Sequence, residues 1–169
     1  MGGLDHDNQM HATRQKVQRD VVNFEIIRAD RRHRDAINRL ITKTNIGSPY
    51  KEDEPMEKFW VARVGGKIVA CHGLDFWDNG RVAIFTSAAV EKEFRHKGIC
   101  SALMRTATEY ARRRGADTAA LCSMYYLFRF LKHRGFKTCP RKLLPESVRS
   151  YPQFTAKRYM KCAVMLKYI

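Results

Sequence analysis

The 169-residue sequence contains no CxxC pair and no HxxxH pair, which leaves a zinc site without the ligand spacing it needs. Its five cysteines, Cys71, Cys100, Cys122, Cys139 and Cys162, are odd in number and widely scattered. They read as reduced thiols packed as small hydrophobes rather than as a disulfide framework, and no metal is expected. No apolar run approaches the roughly 18 residues that a bilayer span requires. The opening Met1-Gly2-Gly3-Leu4-Asp5-His6 lacks the apolar core of a signal peptide, and the Ser/Thr of a myristoylation signal is missing after Gly2. A cytoplasmic protein with no membrane partner is the expectation. Internal repeats and low-complexity tracts are absent, and acidic residues are few.

What is present is an ordinary globular composition, 44% hydrophobic and 29% charged, long enough for one domain with a real core. Thirty-two Lys and Arg stand against 17 Asp and Glu, a net charge of +15. The basic residues cluster at Arg31-Arg32-His33-Arg34, Arg112-Arg113-Arg114, Arg129 to Lys142 and Lys157-Arg158. Such a field suits a polyanion, whether nucleic acid, an acidic partner or a phosphate-bearing small molecule, or it is simply a solvated surface.

Residues 1–20 are polar without apolar periodicity and read as a flexible N-terminal extension ahead of a domain spanning 21–169. Val22 to Ile27 reads as a strand. Asp30 is a good N-cap for a helix carrying Ala36, Ile37, Leu40 and Ile41, which Gly47-Ser48-Pro49 ends. Three strands follow with clear punctuation. Phe59–Val64 meets the two-residue turn Gly65-Gly66, Lys67–Trp77 meets Asp78-Asn79-Gly80, and the third strand runs from Arg81 to Val90. A helix opens at Gly98, carries Ile99, Ala102, Leu103, Ala107, Tyr110 and Ala111 on one face, and closes at Gly115. Thr118 to Cys122 is a short buried strand, Tyr126 to Arg134 a second helix, Phe136 a strand start, and Cys162 to Leu166 the last strand. A strand–helix–strand unit beside a meander implies one parallel pairing in a largely antiparallel sheet, an α/β domain with flanking helices.

The segment that carries chemistry lies between Val90 and Ser101. A loop feeding a helix N-terminus leaves backbone N–H groups unspent at the positive end of the helix dipole. Gly98 permits close approach to a bulky pyrophosphate, and Arg95, His96 and Lys97 add positive charge. Arg95-His96-Lys97-Gly98-Ile99-Cys100, set between a strand and an amphipathic helix, resembles the Gln/Arg-x-x-Gly-x-Gly/Ala motif of the GCN5-related N-acetyltransferase (GNAT) superfamily, with Cys100 in place of the last small residue. The resemblance covers about residues 22–169, including the meander and the aromatic-rich Phe128 to Phe136 ending in Gly135-Phe136.

The resemblance implies the acyl-CoA N-acyltransferase fold and an acetyl-CoA-dependent N-acetyltransferase, an enzyme of the acyltransferase class. It implies main-chain bonds from Ala88, Ala89 and Val90 to the pantetheine arm. It also implies that amides of Arg95, His96, Lys97, Gly98, Ile99, Cys100 and Ser101 hold the pyrophosphate, and that a strand N–H near Ala88 faces the developing oxyanion. Phe59-Trp60-Val61-Ala62-Arg63, Gly66 to Cys71 and Leu144 to Val148 are similar to stretches of single-domain N-acetylglutamate synthase-like proteins. Those relatives carry a Glu-x-Arg pair where this chain has Ile84 and Thr86, so glutamate is one candidate acceptor among several.

Two groups that many relatives use are replaced: the Glu base by Ile84 and the Tyr acid by Leu131. The substitutes in this sequence are Tyr125 and Tyr126, which follow the strand ending at Cys122, and His72 and Asp75 on the middle meander strand. Three residues apart, His72 and Asp75 face opposite sides of a regular strand. Glu52, Asp53 and Glu54 form an acidic rim near the expected acceptor pocket. The acceptor is expected to be a primary amine of a small molecule or amino acid. An amine borne by nucleic acid, suggested by the basic clusters, and a CoA-binding module without catalysis are the alternatives. The oligomeric state is open, a homodimer included.

Overall fold

The computed structural model describes residues 21–169. The extension expected over residues 1–20 lies outside the described residues.

Among the described residues seven strands form one sheet in the order β1-β2-β3-β4-β5-β7-β6. Strand β1 is Glu25–Arg28, β2 Phe59–Val64, β3 Lys67–Trp77 and β4 Val82–Val90. Strand β5 is Thr118–Ser123, β6 Lys137–Cys139 and β7 Ala163–Tyr168. The first four pair antiparallel, β4 and β5 pair parallel, and β7 inserts antiparallel between β5 and β6. The right-hand order was not anticipated: β6 follows β5 in sequence but pairs only with β7.

The turns have the chemistry that the sequence requires. Gly65 and Gly66 both take positive φ, 53° and 81°, which closes the tight β2–β3 hairpin. The β3–β4 connection is longer than a two-residue turn, because Trp77 pairs with Val82. Asp78, Asn79 and Gly80 all lie at positive φ there.

Helix α1 (Arg34–Thr44) lies on one face of the sheet and α2 (Ile99–Arg113) on the other. Asp30 caps a short 3-10 turn, Arg31–His33, which leads into α1, and a reciprocal bond between Asp30 and His33 completes a capping box. Helix α1 ends at Asn45, in left-handed conformation at φ 54°, and not at the anticipated Gly47-Ser48-Pro49. Asn tolerates that conformation, and its N–H reaches the carbonyls of Ile41 and Thr42. Helix α2 ends in a Schellman arrangement, with Ala116 N–H on Ala111 and Gly115 N–H on Arg112. The expected Tyr126 to Arg134 helix is shorter: a 3-10 turn at Tyr125–Leu127 and then α3, Phe128–Lys132. After β6, two single-turn helices, α4 (Glu146–Arg149) and α5 (Pro152–Thr155), pack Val148 and Phe154 onto Val82, Ile84 and Ala120. They cover the α1 face of the sheet at its centre.

Candidate active site

The centre of the sheet opens. Strands β4 and β5 share only the pairs Val82–Thr118, Ala83–Ala119 and Ile84–Ala120. Beyond Ile84, β4 keeps β3 as its partner while β5 keeps β7, so residues 85–90 of β4 present an edge that β5 does not cover.

A bulge shapes this edge. The β3–β4 register passes from Gly73↔Thr86 to Cys71↔Ala89, so β4 spends two residues, Ser87 and Ala88, where β3 spends His72. Ser87 takes φ 44°, an uncommon conformation for a residue with a side chain. Ala88 is exposed while Ala89 is buried. The strand ends with Glu91 N–H on the Val69 carbonyl, at 2.9 Å. By antiparallel alternation, the N–H of Val90 points away from β3 into the opening.

Glu91 anchors the turn that follows. It is only 3% exposed, with Lys67 Nζ at 2.8 Å and Arg39 Nη2 at 3.7 Å. A 3-10 turn, Lys92–Phe94, then leads to the loop 95–98. His96 and Gly98 both take left-handed conformations, φ 62° and 82°. Arg95, His96 and Gly98 are exposed and Lys97 is half-buried. A Cβ built on Gly98 would meet no atom within 4 Å. None of the N–H groups from His96 to Ser101 donates to a main-chain carbonyl among the turn and cap bonds, and the first helical bond is Ala102 N–H to Gly98. These donors stand without a main-chain partner at the positive end of a 15-residue helix. Arg134, at the end of α3, donates to the Ser101 hydroxyl and stacks over the Phe130 ring, which brings a guanidinium to the same place. Nothing local in the sequence marks that contact, which spans 33 positions.

The face of the sheet opposite α2 carries a polar cluster. Asp75 Oδ2 accepts from Tyr151 Oη at 3.0 Å, and Lys58 Nζ lies 3.8 Å from Asp75 Oδ1. Lys58 also sits over the Tyr50 ring at 4.5 Å, and Tyr50 Oη lies 2.9 Å from Ser87 Oγ. Burial and the Asp75 charge push the Tyr151 phenol well above its ordinary range, so it remains a donor. Burial raises the Tyr50 phenol as well.

His72 lies on the other face, 1% exposed and edge-on to Phe85 at 4.9 Å. Burial lowers its pKa to about 4, and Nδ1 has no partner. His72 and Asp75 are thus on opposite faces, and sealed, neutral His72 is not at the polar cluster. Tyr125 and Tyr126 are 77% and 65% exposed and pack edge-on against each other rather than against the core. Glu54 spends its carboxylate on the Lys51 N–H, while Glu52 and Asp53 stay exposed. Burial raises the Cys100 thiol, pushes Cys122 up to about 11 and Cys71 up to about 12, which makes all three poor nucleophiles at neutral pH. Among the described residues no three His, Cys, Asp or Glu side chains gather as a metal site. No helix among them is long and apolar enough to cross a membrane.

A mostly antiparallel sheet split between two parallel strands, with a basic open loop at the helix that joins them, defines the acyl-CoA N-acyltransferase fold. Residues 24–136 match the acetyltransferase (GNAT) family, and the chain belongs to it. Its members are N-acetyltransferases that draw on acetyl-CoA. Solved structures share the fold at low identity. N-acetylglutamate synthase from Neisseria gonorrhoeae, complexed with coenzyme A and L-arginine, is 18% identical with a TM-score of 0.72. The match covers 88% of this chain but 34% of that one. Rv2747 from Mycobacterium tuberculosis, in complex with CoA and NLQ, is 20% identical at TM-score 0.74, covering 86% of this chain and 99% of that one. PaiA N-acetyltransferase from Thermoplasma acidophilum, in complex with coenzyme A, is 16% identical at TM-score 0.64, covering 88% and 100%. No curated protein matches the sequence.

Proposed function

We propose that this chain transfers the acetyl group of acetyl-CoA to a primary amine of a small molecule or amino acid. The observation that carries the reading is the continuity of two open main-chain surfaces. The uncovered edge of β4 runs into the unspent N–H groups of residues 96–101. An extended amide-bearing arm would add to Ala88, Ala89 and Val90 as a strand adds to a sheet edge. Its diphosphate would fall on Arg95, His96, Lys97, Gly98, Ile99, Cys100 and Ser101, with Arg134 as an added cation. The open space over Gly98 fits so bulky a group. The thioester would then lie in the gap between β4 and β5, with Tyr125 and Tyr126 following the end of β5 as candidate phenols for the departing sulfur.

Nucleic-acid-borne amines are a second reading, favoured by the exposed run Met124, Tyr125, Tyr126 and Leu127, followed two residues on by exposed Arg129. Aromatic rings among cations suit stacked bases on a phosphate chain. The test is thiol release from acetyl-CoA, with mass detection of product, across amino acids, polyamines, amino sugars, peptides with free N-termini and aminoacyl-tRNA. Turnover of a small amine supports the main reading. Turnover of aminoacyl-tRNA alone, with affinity that falls steeply as salt rises, supports the second. CoA binding without any turnover would leave a binding module and refute transfer.

A further inference from the structure

We propose that Asp75 is the carboxylate that receives the ammonium of the acceptor and takes its proton, held in place by Tyr151 and Lys58. The inference rests on the acetyl-transfer reading and goes beyond it in naming the group and the charge of the acceptor.

The argument starts from register. Asp75 pairs directly with Ile84, and Ile84 is the last β4 residue that β5 covers. Directly opposed residues of an antiparallel pair put their Cβ atoms about 4.5–5.5 Å apart on the same face. Asp75 therefore projects beside Ile84, at the point where the sheet parts. Ile84 is buried against Phe154 and Val148 and offers no proton acceptor. The carboxylate absent from β4 is supplied by the neighbouring strand.

The surroundings fix the side chain without consuming it. Tyr151 donates to Oδ2, and its ring stacks edge-on against Trp77 and Phe154, so the phenol cannot swing away. Trp77 Nε1 in turn donates to Ser150 Oγ at 2.8 Å, which ties this segment to β3. Lys58 stands 3.8 Å from Oδ1, beyond hydrogen-bond distance, so that oxygen has a charge nearby and no tight partner. The Asp75 side chain is 31% exposed, open enough to meet a solute. Next to the bulge, the Thr86 hydroxyl is buried with no partner and occupies the space a side chain at Gly73 would need, Gly73 being two residues before Asp75 on the same face. The titratable groups facing Asp75 are Lys58, Tyr50 and Tyr151, and the Glu54 carboxylate is taken by the Lys51 N–H.

In the step assigned to it, Asp75 takes one proton from the ammonium. The neutral nitrogen forms the C–N bond as the C–S bond breaks, the second nitrogen-borne proton goes to the thiolate sulfur, and Asp75 releases its proton to solvent. The products are the amide, the free thiol and one proton.

The test compares wild type, Asp75→Asn and Tyr151→Phe on two acceptors. One is the cationic amine that wild type acetylates fastest in the panel above; the other is hydroxylamine, which is neutral at pH 7. General-base removal costs about 10²–10⁴-fold. Asp75→Asn should lose at least a hundredfold in kcat/KM on the cationic amine, should lose less than tenfold on hydroxylamine, and should bind CoA as wild type does. Its rate on the cationic amine should climb with pH as the free amine accumulates, where wild type levels off. Tyr151→Phe should lose severalfold and shift the pH profile, as a positioning residue would. Equal losses on both acceptors, or wild-type rates on the cationic amine, would overturn the proposal. If Asp75→Asn does not fold, Tyr151→Phe decides, and an unmoved pH profile there overturns it. Should wild type acetylate no amine at all, the transfer reading fails instead.

Discussion

Between about pH 6.5 and pH 4 the buried imidazole of His72 should dominate the acid sensitivity of the fold. His72 is 1% exposed, its Nδ1 has no partner, and burial moves its pKa from an ordinary 6.5 to about 4. In the unfolded chain the ring takes up a proton near 6.5; in the folded chain it does not until about 4. The unfolded state thus binds more protons within that window, and stability falls as pH falls. The stability of the neutral, buried ring is fully present above 6.5 and lost by about 4. At 1.36 kcal/mol per pKa unit, the loss is about 3 kcal/mol, a large share of the roughly 5–15 kcal/mol of a typical domain. Lowered carboxylates such as Asp30, at about 2, add a slope of the same sign at lower pH, so the comparison must be with a variant. His72→Leu replaces the ring with an apolar side chain of similar volume. Urea unfolding of both proteins at half-unit steps from pH 8 to pH 4 should show wild type losing about 3 kcal/mol more than the variant. Parallel curves would refute the assignment of a sealed, neutral imidazole.

Substitutions at Gly98 separate the cradle from the core. Gly98→Ala meets no protein atom but forces an L-residue to φ 82°, which costs about 1–2 kcal/mol, visible as a drop of about 2–8 °C in thermal unfolding. Gly98→Gln should fold similarly and lose CoA affinity at least tenfold by calorimetric titration; retained affinity would remove the cradle. Glu91→Gln should cost about 1–3 kcal/mol and weaken CoA binding, since it loosens the Lys67 and Arg39 anchors at the end of β4. Unchanged urea midpoints would show that Glu91 is not an anchor.

The meander was legible because its punctuation is local. Gly65-Gly66 and Asn79-Gly80 mark turns that need positive φ; β2 runs up to the first and β3 between the two, both with the expected ends. Helix α2 was legible from its apolar spacing and from Gly115, and the cradle from Gly98 at its start. What escaped was set by contacts between distant residues. The insertion of β7 between β5 and β6 depends on which edge the last strand finds, and nothing in Ala163–Tyr168 states it. The Tyr151–Asp75 bond joins residues 76 positions apart, and Tyr151 lies in a stretch that Pro145 and Pro152 make irregular. The Ser87 bulge had no glycine to announce it. Tyr126 read as the first residue of a helix, yet it lies inside the 3-10 turn Tyr125–Leu127, which leaves the rings of Tyr125 and Tyr126 in water.

Ile84 and Leu131 were the strongest sequence argument against catalysis, and the packing changes the weight of both. Leu131 is 4% exposed in the core formed with Phe85, Phe136 and Met104, so it is spent on holding α3 to the sheet. Ile84 is likewise spent on the other core, beneath Phe154. Each loss removes a polar group from a site that became apolar, and apolar packing there is self-consistent. The opening itself is untouched, because it depends on β5 leaving β4 after Ala120 and on Ser87 bending the edge, not on the side chain at 84. A left-handed serine on a strand persists only where its surroundings over-determine it, as the Tyr50 hydroxyl and Cys71 thiol contacts do here. The strained Ser87 and the half-open Asp75 carboxylate meet through Tyr50 and Lys58 at the edge of that opening, which Ile84 packs beneath without closing.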